Sequence, residues 1–225
     1  MIHDRLIASR REVLIAASTL AAGSALASIP APQGRRLSFR VLREGKDIGV
    51  HEVSFSRQGD DWSVEVAIDL AVTLGPVPLY RYRHRAREVW AAGQFASIEA
   101  DTNDNGSKLT LRAERSAAGV AVRSTQSGDY TAPANALPST HWNRRMLDGP
   151  FINTQTGELL RGAVSPLGSG EVETATGSRI PVRRFEIRGP ITLETFYDET
   201  ATWAGLRFKG YDGSNILYKR QEPST

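Results

Sequence analysis

Three observations predict an all-β fold. Apolar residues recur with a period of two along most of the chain, turn dipeptides separate these runs at short spacing, and no segment has the length and 3.6-residue period of a long amphipathic helix. Strands of ten or more residues curl strongly, so about ten of them in one antiparallel sheet would wrap into a barrel or half-barrel. We expect a single, strongly curved antiparallel sheet with one short helical or loop insertion near 138–150.

The chain opens on a different pattern. Arg10 and Arg11 stand in Ser9-Arg10-Arg11-Glu12-Val13-Leu14-Ile15, followed by an uncharged stretch to Ala27 that ends in the small-residue site Ala25-Leu26-Ala27. A basic start, an apolar run and a small-residue site form the layout of a cleavable export signal, and paired arginines mark the twin-arginine class, which carries proteins across already folded. The run is too short for a membrane span, which needs about 20 apolar residues. The expected organisation is a signal over 1–27, a linker over 28–36 and one antiparallel β domain over 37–225, located in the periplasm or secreted.

Within the domain, Trp62, Val64, Val66, Ile68, Leu70, Val72 and Leu74 alternate with polar or small residues, the mark of a strand with one face on a core. Gly75-Pro76-Val77-Pro78 ends the run. Tyr80, Tyr82, His84, Ala86, Glu88 and Trp90 then share one parity, while Arg81, Arg83, Arg85 and Arg87 take the other and must face water. Asn105-Gly106 sits between two alternating stretches and predicts a two-residue hairpin, because both turn positions need positive φ. With turns at Gly45-Lys46-Asp47 and Gln58-Gly59-Asp60, the first half from Leu37 to about Thr125 reads as a meander. Residues 132–138 form a proline-interrupted loop. A short helical turn capped by Ser139 or Thr140 is expected after it. Strands return over 181–188, 191–197, 203–209 and 216–220.

Composition excludes several classes. With no cysteine, the chain has no disulfide and no thiolate metal site. The net charge is only +3, and losing residues 1–27 would bring it still nearer neutrality, so there is no nucleic-acid footprint. His51, His84 and His141 lie far apart and lack ligand spacing, so neither a metal nor another cofactor is expected. Asp101-Thr102-Asn103-Asp104-Asn105-Gly106 imitates the opening of a calcium loop, but Arg112 stands where its bidentate acid belongs. Polar side chains shaping a hairpin explain it better.

Taken together, Tyr80-Arg81-Tyr82-Arg83-His84 with Glu88 and Trp90, Asp101 to Gly106, Pro138-Ser139-Thr140-His141-Trp142-Asn143, Thr156-Gly157 and Tyr197-Asp198 resemble a family of exported bacterial proteins known only as a domain of unknown function. The chain departs from that pattern in carrying Phe196 where the family prefers tryptophan. The resemblance implies an antiparallel β architecture similar to periplasmic half-barrel lipid carriers. It implies no activity and assigns no catalytic residue.

Two function classes follow from the residues themselves. In a carrier, a curved sheet with Tyr80, Tyr82, His84, Glu88 and Trp90 on its inner face, helped by His141, Trp142 and Asn143 from the loop, would bind an apolar small molecule or lipid. In an enzyme, His84, Glu88, Asp101 and His141 would form an acid–base pocket for a hydrolase or isomerase, which requires the two histidines to converge. Ser139 lacks the G-x-S-x-G elbow of a nucleophile. The histidine on the sheet and the 139–143 loop also fit plainer roles, a satisfied core histidine and a plug in which Trp142 fills the open end. A third class, an envelope protein-interaction module, would show an exposed edge or apolar patch. The carrier is the favoured reading, with its oligomeric state left open.

Overall fold

The computed structural model describes residues 29–221, so the expected export signal over 1–27 lies outside the described residues. Eight strands form the first meander: β1 (Arg36–Arg43), β2 (Lys46–Gln58), β3 (Asp61–Leu74), β4 (Val77–Ala91), β5 (Gln94–Asp104), β6 (Ser107–Ser116), β7 (Gly119–Ser124) and β8 (Gly128–Ala132). An insertion follows, with β9 (Leu137–Pro138), a short 3-10 helix (Arg144–Asp148), β10 (Phe151–Ile152) and β11 (Leu159–Leu160). The chain then returns through β12 (Ala163–Glu173), β13 (Arg179–Arg188), β14 (Leu193–Asp198), β15 (Trp203–Lys209) and β16 (Asn215–Arg220).

All the long strands belong to one 13-stranded sheet in the order β12-β13-β14-β15-β16-β1-β2-β3-β4-β5-β6-β7-β8. Its pairings are antiparallel throughout, and β16 lies against β1 with Val41 opposite Tyr218. The sheet does not close: β12 and β8 remain its edges. It is an open, barrel-like sheet of the expected class. Register shifts at Val72/Thr73 and Val89/Trp90 bend the longest strands, as bulges do by adding a residue and raising local twist. The predicted hairpin at Asn105-Gly106 is present, with φ of 49° and 101°.

The core fills the inside of this curl. Phe39, Val53, Phe55, Val64, Trp90, Phe95, Ile98 and Leu111 from the sheet join Trp142, Met146, Phe151 and Ile152 from the insertion in one buried cluster. Period-two alternation delivers the sheet residues, since every second side chain points inward. Residues 133–162 supply the lid of that core, and β9, β10 and β11 form a separate three-stranded sheet. A smaller cluster of Val182, Phe196 and Ala204 lies apart from the main core.

Four local expectations change. The 3-10 helix is capped by Asn143, whose side chain accepts from the Arg145 N–H, and not by Ser139 or Thr140. The segment expected as a linker is held to the body, with Ile29 buried in the main core and the Arg35 carbonyl accepting from the Phe55 N–H. β8 extends the first meander beyond Thr125. Sequence reading also passed over β12, because Ser165, Pro166, Gly168, Ser169 and Gly170 dilute its alternation to the look of a loop.

Candidate functional site

Two cross-strand rows place the polar groups of the inner face. In the first, pairing runs from Phe39 to His51, Ile68, His84 and Thr102. Four residues further along β4, the second runs through Phe55, Val64, Glu88, Ile98 and Ala113. Four residues of extended chain span about 13 Å, so His84 and Glu88 share a face without touching.

Glu88 is fully enclosed. The Trp90 indole N–H donates to its Oε2 at 2.6 Å, the Trp142 indole N–H donates to its Oε1 at 3.1 Å, and the Thr140 hydroxyl also reaches it. Burial pushes its carboxyl up to about 7, against the opposing pull of the Thr140, Trp90 and Trp142 hydrogen bonds. His84 is buried, shares a hydrogen bond from Nδ1 to Thr102 Oγ1 at 2.8 Å and stacks on Tyr82. Burial holds it down to about 4, and the Arg85 charge adds to the effect. Tyr82 donates to Gln155 Oε1 at 3.2 Å and Tyr80 donates to Asp104 Oδ1 at 2.7 Å, while Gln155 Nε2 donates to Asp104 Oδ2. Gln155 thus ties the insertion to the mouth of the sheet, a role its sequence position does not announce.

The loop residue His141 takes a left-handed conformation, φ 63°, and its ring stacks on Trp203 at 5.4 Å. On another side of Trp203 stands His51, 5.1 Å from the indole and also against Phe39 and Tyr218. Neither nitrogen of His51 and not the Nδ1 of His141 has a hydrogen-bond partner. Burial lowers His51 to about 3, assisted by repulsion from His141 and His84, and lowers His141 to about 4. No group of three or more His, Cys, Asp or Glu side chains among the described residues is arranged to hold a metal ion.

The expected site residues therefore separate. Asp101 is exposed, because it pairs with Arg85 in the outward parity of β5 and faces away from His84. Trp90, Trp142 and Asn143 are buried at 1%, 1% and 4% exposure, the two indoles within the main core. His84 is hydrogen-bonded to Thr102, Glu88 to Trp90, Trp142 and Thr140, and the His141 ring stacks on Trp203. Of the four residues anticipated for an acid–base pocket, Asp101 lies on the opposite face of the sheet from His84 and Glu88.

Free space lies elsewhere. A cavity of about 220 Å³ opens between the insertion and β13 to β15, walled by Phe151, Leu160, Ile187, Leu193 and Phe208, with His141 in its lining. Ser139 and Asn153 add polar groups, and Tyr211, 90% exposed, stands at its edge. Of the residues expected at a ligand site, His141 and the inner-face aromatic Phe208 line it. Phe151, Leu160, Ile187 and Leu193 left no signal in the sequence, because they come from separated stretches, each unremarkable alone. A second, wider hollow of about 630 Å³ lies by β3 and β4, lined among others by Tyr82, Arg81 and Arg83.

This architecture defines a class: an all-β, barrel-like protein with an open curved sheet and an interior plugged by its own insertion. The chain belongs to the family described as domain of unknown function DUF6134, whose model matches residues 39–221. No curated protein matches it. The fold is similar to that of a β-barrel-like protein of domain of unknown function DUF1849 from Brucella abortus, solved as a crystal structure. The TM-score is 0.58 at 7% identity, over 83% of this chain and 95% of that one. At that identity the likeness concerns the fold alone.

Proposed function

We propose that this chain is an exported cell-envelope protein that binds the apolar end of a small lipid-like or isoprenoid-like molecule. The cavity of about 220 Å³ carries the reading: its walls are aliphatic and aromatic, with a few polar groups at the lining, the usual composition of a small-molecule site. Drug-sized sites run to about 300–1,000 Å³, so this one suits a single apolar segment with the rest of the ligand outside. His141 supplies a neutral imidazole to orient a polar group beside that segment. The twin arginines and the apolar run ahead of Ala27 support export.

Native mass spectrometry with organic extraction, on protein purified from the periplasm of its host, tests the binding. Near-stoichiometric apolar ligand is the expected result; an empty protein whose cavity takes up no apolar probe would sink the reading. Replacing Arg10 and Arg11 together by lysine tests the route, and should leave uncleaved chain in the cytoplasm.

A further inference from the structure

We propose that the tip of the β3–β4 hairpin is a docking surface for an anionic lipid bilayer. β2 pairs with β3 only as far as Gly49 opposite Leu70, and β5 pairs with β4 only as far as Tyr82 opposite Asp104. Residues 71–80 therefore project beyond both neighbours as a two-stranded ribbon, with the Arg81 carbonyl accepting from the Asn105 N–H at its base. A ribbon ending in water would ordinarily carry polar residues at its tip. Here Leu74, Val77 and Leu79 are 71%, 55% and 57% exposed, and with Tyr211 they are the exposed large apolar side chains of the described residues.

The backbone of the tip suits an apolar environment. Gly75, at φ 58°, and Pro76 make the two-residue turn, and Pro78 follows within the strand. Neither proline has an N–H, so two donors that would have to be desolvated on insertion are missing.

Charge selects the kind of surface. Immediately behind the tip, Arg81 and Arg83 line the hollow of about 630 Å³ together with Asn103 and Asn105. Asp69 also lines it, but that carboxylate is held by Arg85 at 2.6 Å and lies 3.9 Å from Arg83. Arg81 has no ion pair among the described residues. Guanidinium and amide groups at the base of an apolar tip match phosphate headgroups lying just above acyl chains. Each arginine near an anionic bilayer adds about fivefold to binding. This contact is independent of whether the cavity holds a ligand.

Because the chain has no cysteine, a single Leu79→Cys substitution places one acrylodan reporter on the tip of the full chain. Vesicles of phosphatidylglycerol and phosphatidylcholine should shift its emission to the blue, and vesicles of phosphatidylcholine alone should do so far less. Adding Arg81→Gln and Arg83→Gln should weaken the response at least tenfold while leaving the near-UV circular dichroism unchanged. The local reporter distinguishes tip docking from attachment through any other part of the chain. An emission fixed at its buffer value with saturating anionic vesicles would overturn the proposal, as would an equal shift with both vesicle types.

Discussion

The Trp142 indole donates to Glu88 Oε1 at 3.1 Å across 54 positions of sequence, and this bond fastens the insertion to the floor of the sheet. The second carboxylate oxygen takes the Trp90 indole, so one enclosed acid holds two aromatic anchors of the core in place. The anchoring group is titratable, which makes the closure of the core sensitive to pH.

For Glu88 the sign is set by a folded value of about 7 above the ordinary 4.5. Between those values the folded protein keeps a proton that the unfolded chain releases, so this group's contribution is full below about 4.5 and lost as pH rises through 7. Glu88→Gln should remove that slope from thermal unfolding curves recorded between pH 5 and 8. It should cost about 1–3 kcal/mol near pH 5, because the amide nitrogen cannot accept from an indole, and progressively less towards pH 8, where the wild type has lost the contribution of Glu88. An unchanged pH slope would refute the assignment.

His51 works in the opposite direction. Its folded value of about 3 lies below the ordinary 6.5, so its contribution is present above 6.5 and lost as pH falls towards 3. Both ring nitrogens are buried without partners. His51→Leu should be near neutral or stabilising at pH 7 and should relieve about 3 kcal/mol of destabilisation at pH 4, as read by urea denaturation at the two pH values.

The cavity reading separates volume from chemistry. Leu193→Trp should fill part of the space and lower the affinity for an apolar probe such as N-phenylnaphthylamine by tenfold or more, with little change in melting temperature. His141→Asn preserves tolerance of the left-handed backbone and should weaken binding of the probe less than Leu193→Trp does. Equal losses from both would refute that ranking, and a greater loss from His141→Asn would assign the imidazole a larger part than the walls.

Gly49 sits in β2 opposite Leu70 of β3, with no room for a side chain. At φ 142° a Cβ would stand 2.0 Å from the Asp69 carbonyl oxygen, a contact that only backbone displacement relieves. Gly49→Ala should therefore destabilise by about 3 kcal/mol or more in chemical denaturation.

The sheet was legible because its information is local. Alternation from Trp62 to Leu74 and from Tyr80 to Trp90 assigns one parity to the core before any partner strand is known, and Asn105-Gly106 fixes the register of β5 against β6. β12 was not legible, since its glycines, serines and proline carry no alternation and its pairing with β13 alone makes it a strand. The site was legible only in fragments. Parity placed His84 and Glu88 inside, but Asp101 on the following strand pairs with Arg85, and that one-residue difference in parity turns it outward.

The sequence by itself determined the β class, the inward and outward faces of the long strands, and the lack of any disulfide, because these depend on periodicity and composition. Tertiary structure alone decided that Trp142 meets Glu88, that His51 and His141 flank Trp203, and where space is left over. Those outcomes depend on how residues 133–162 fold back into a curved sheet, and contacts between distant segments leave no period in either one.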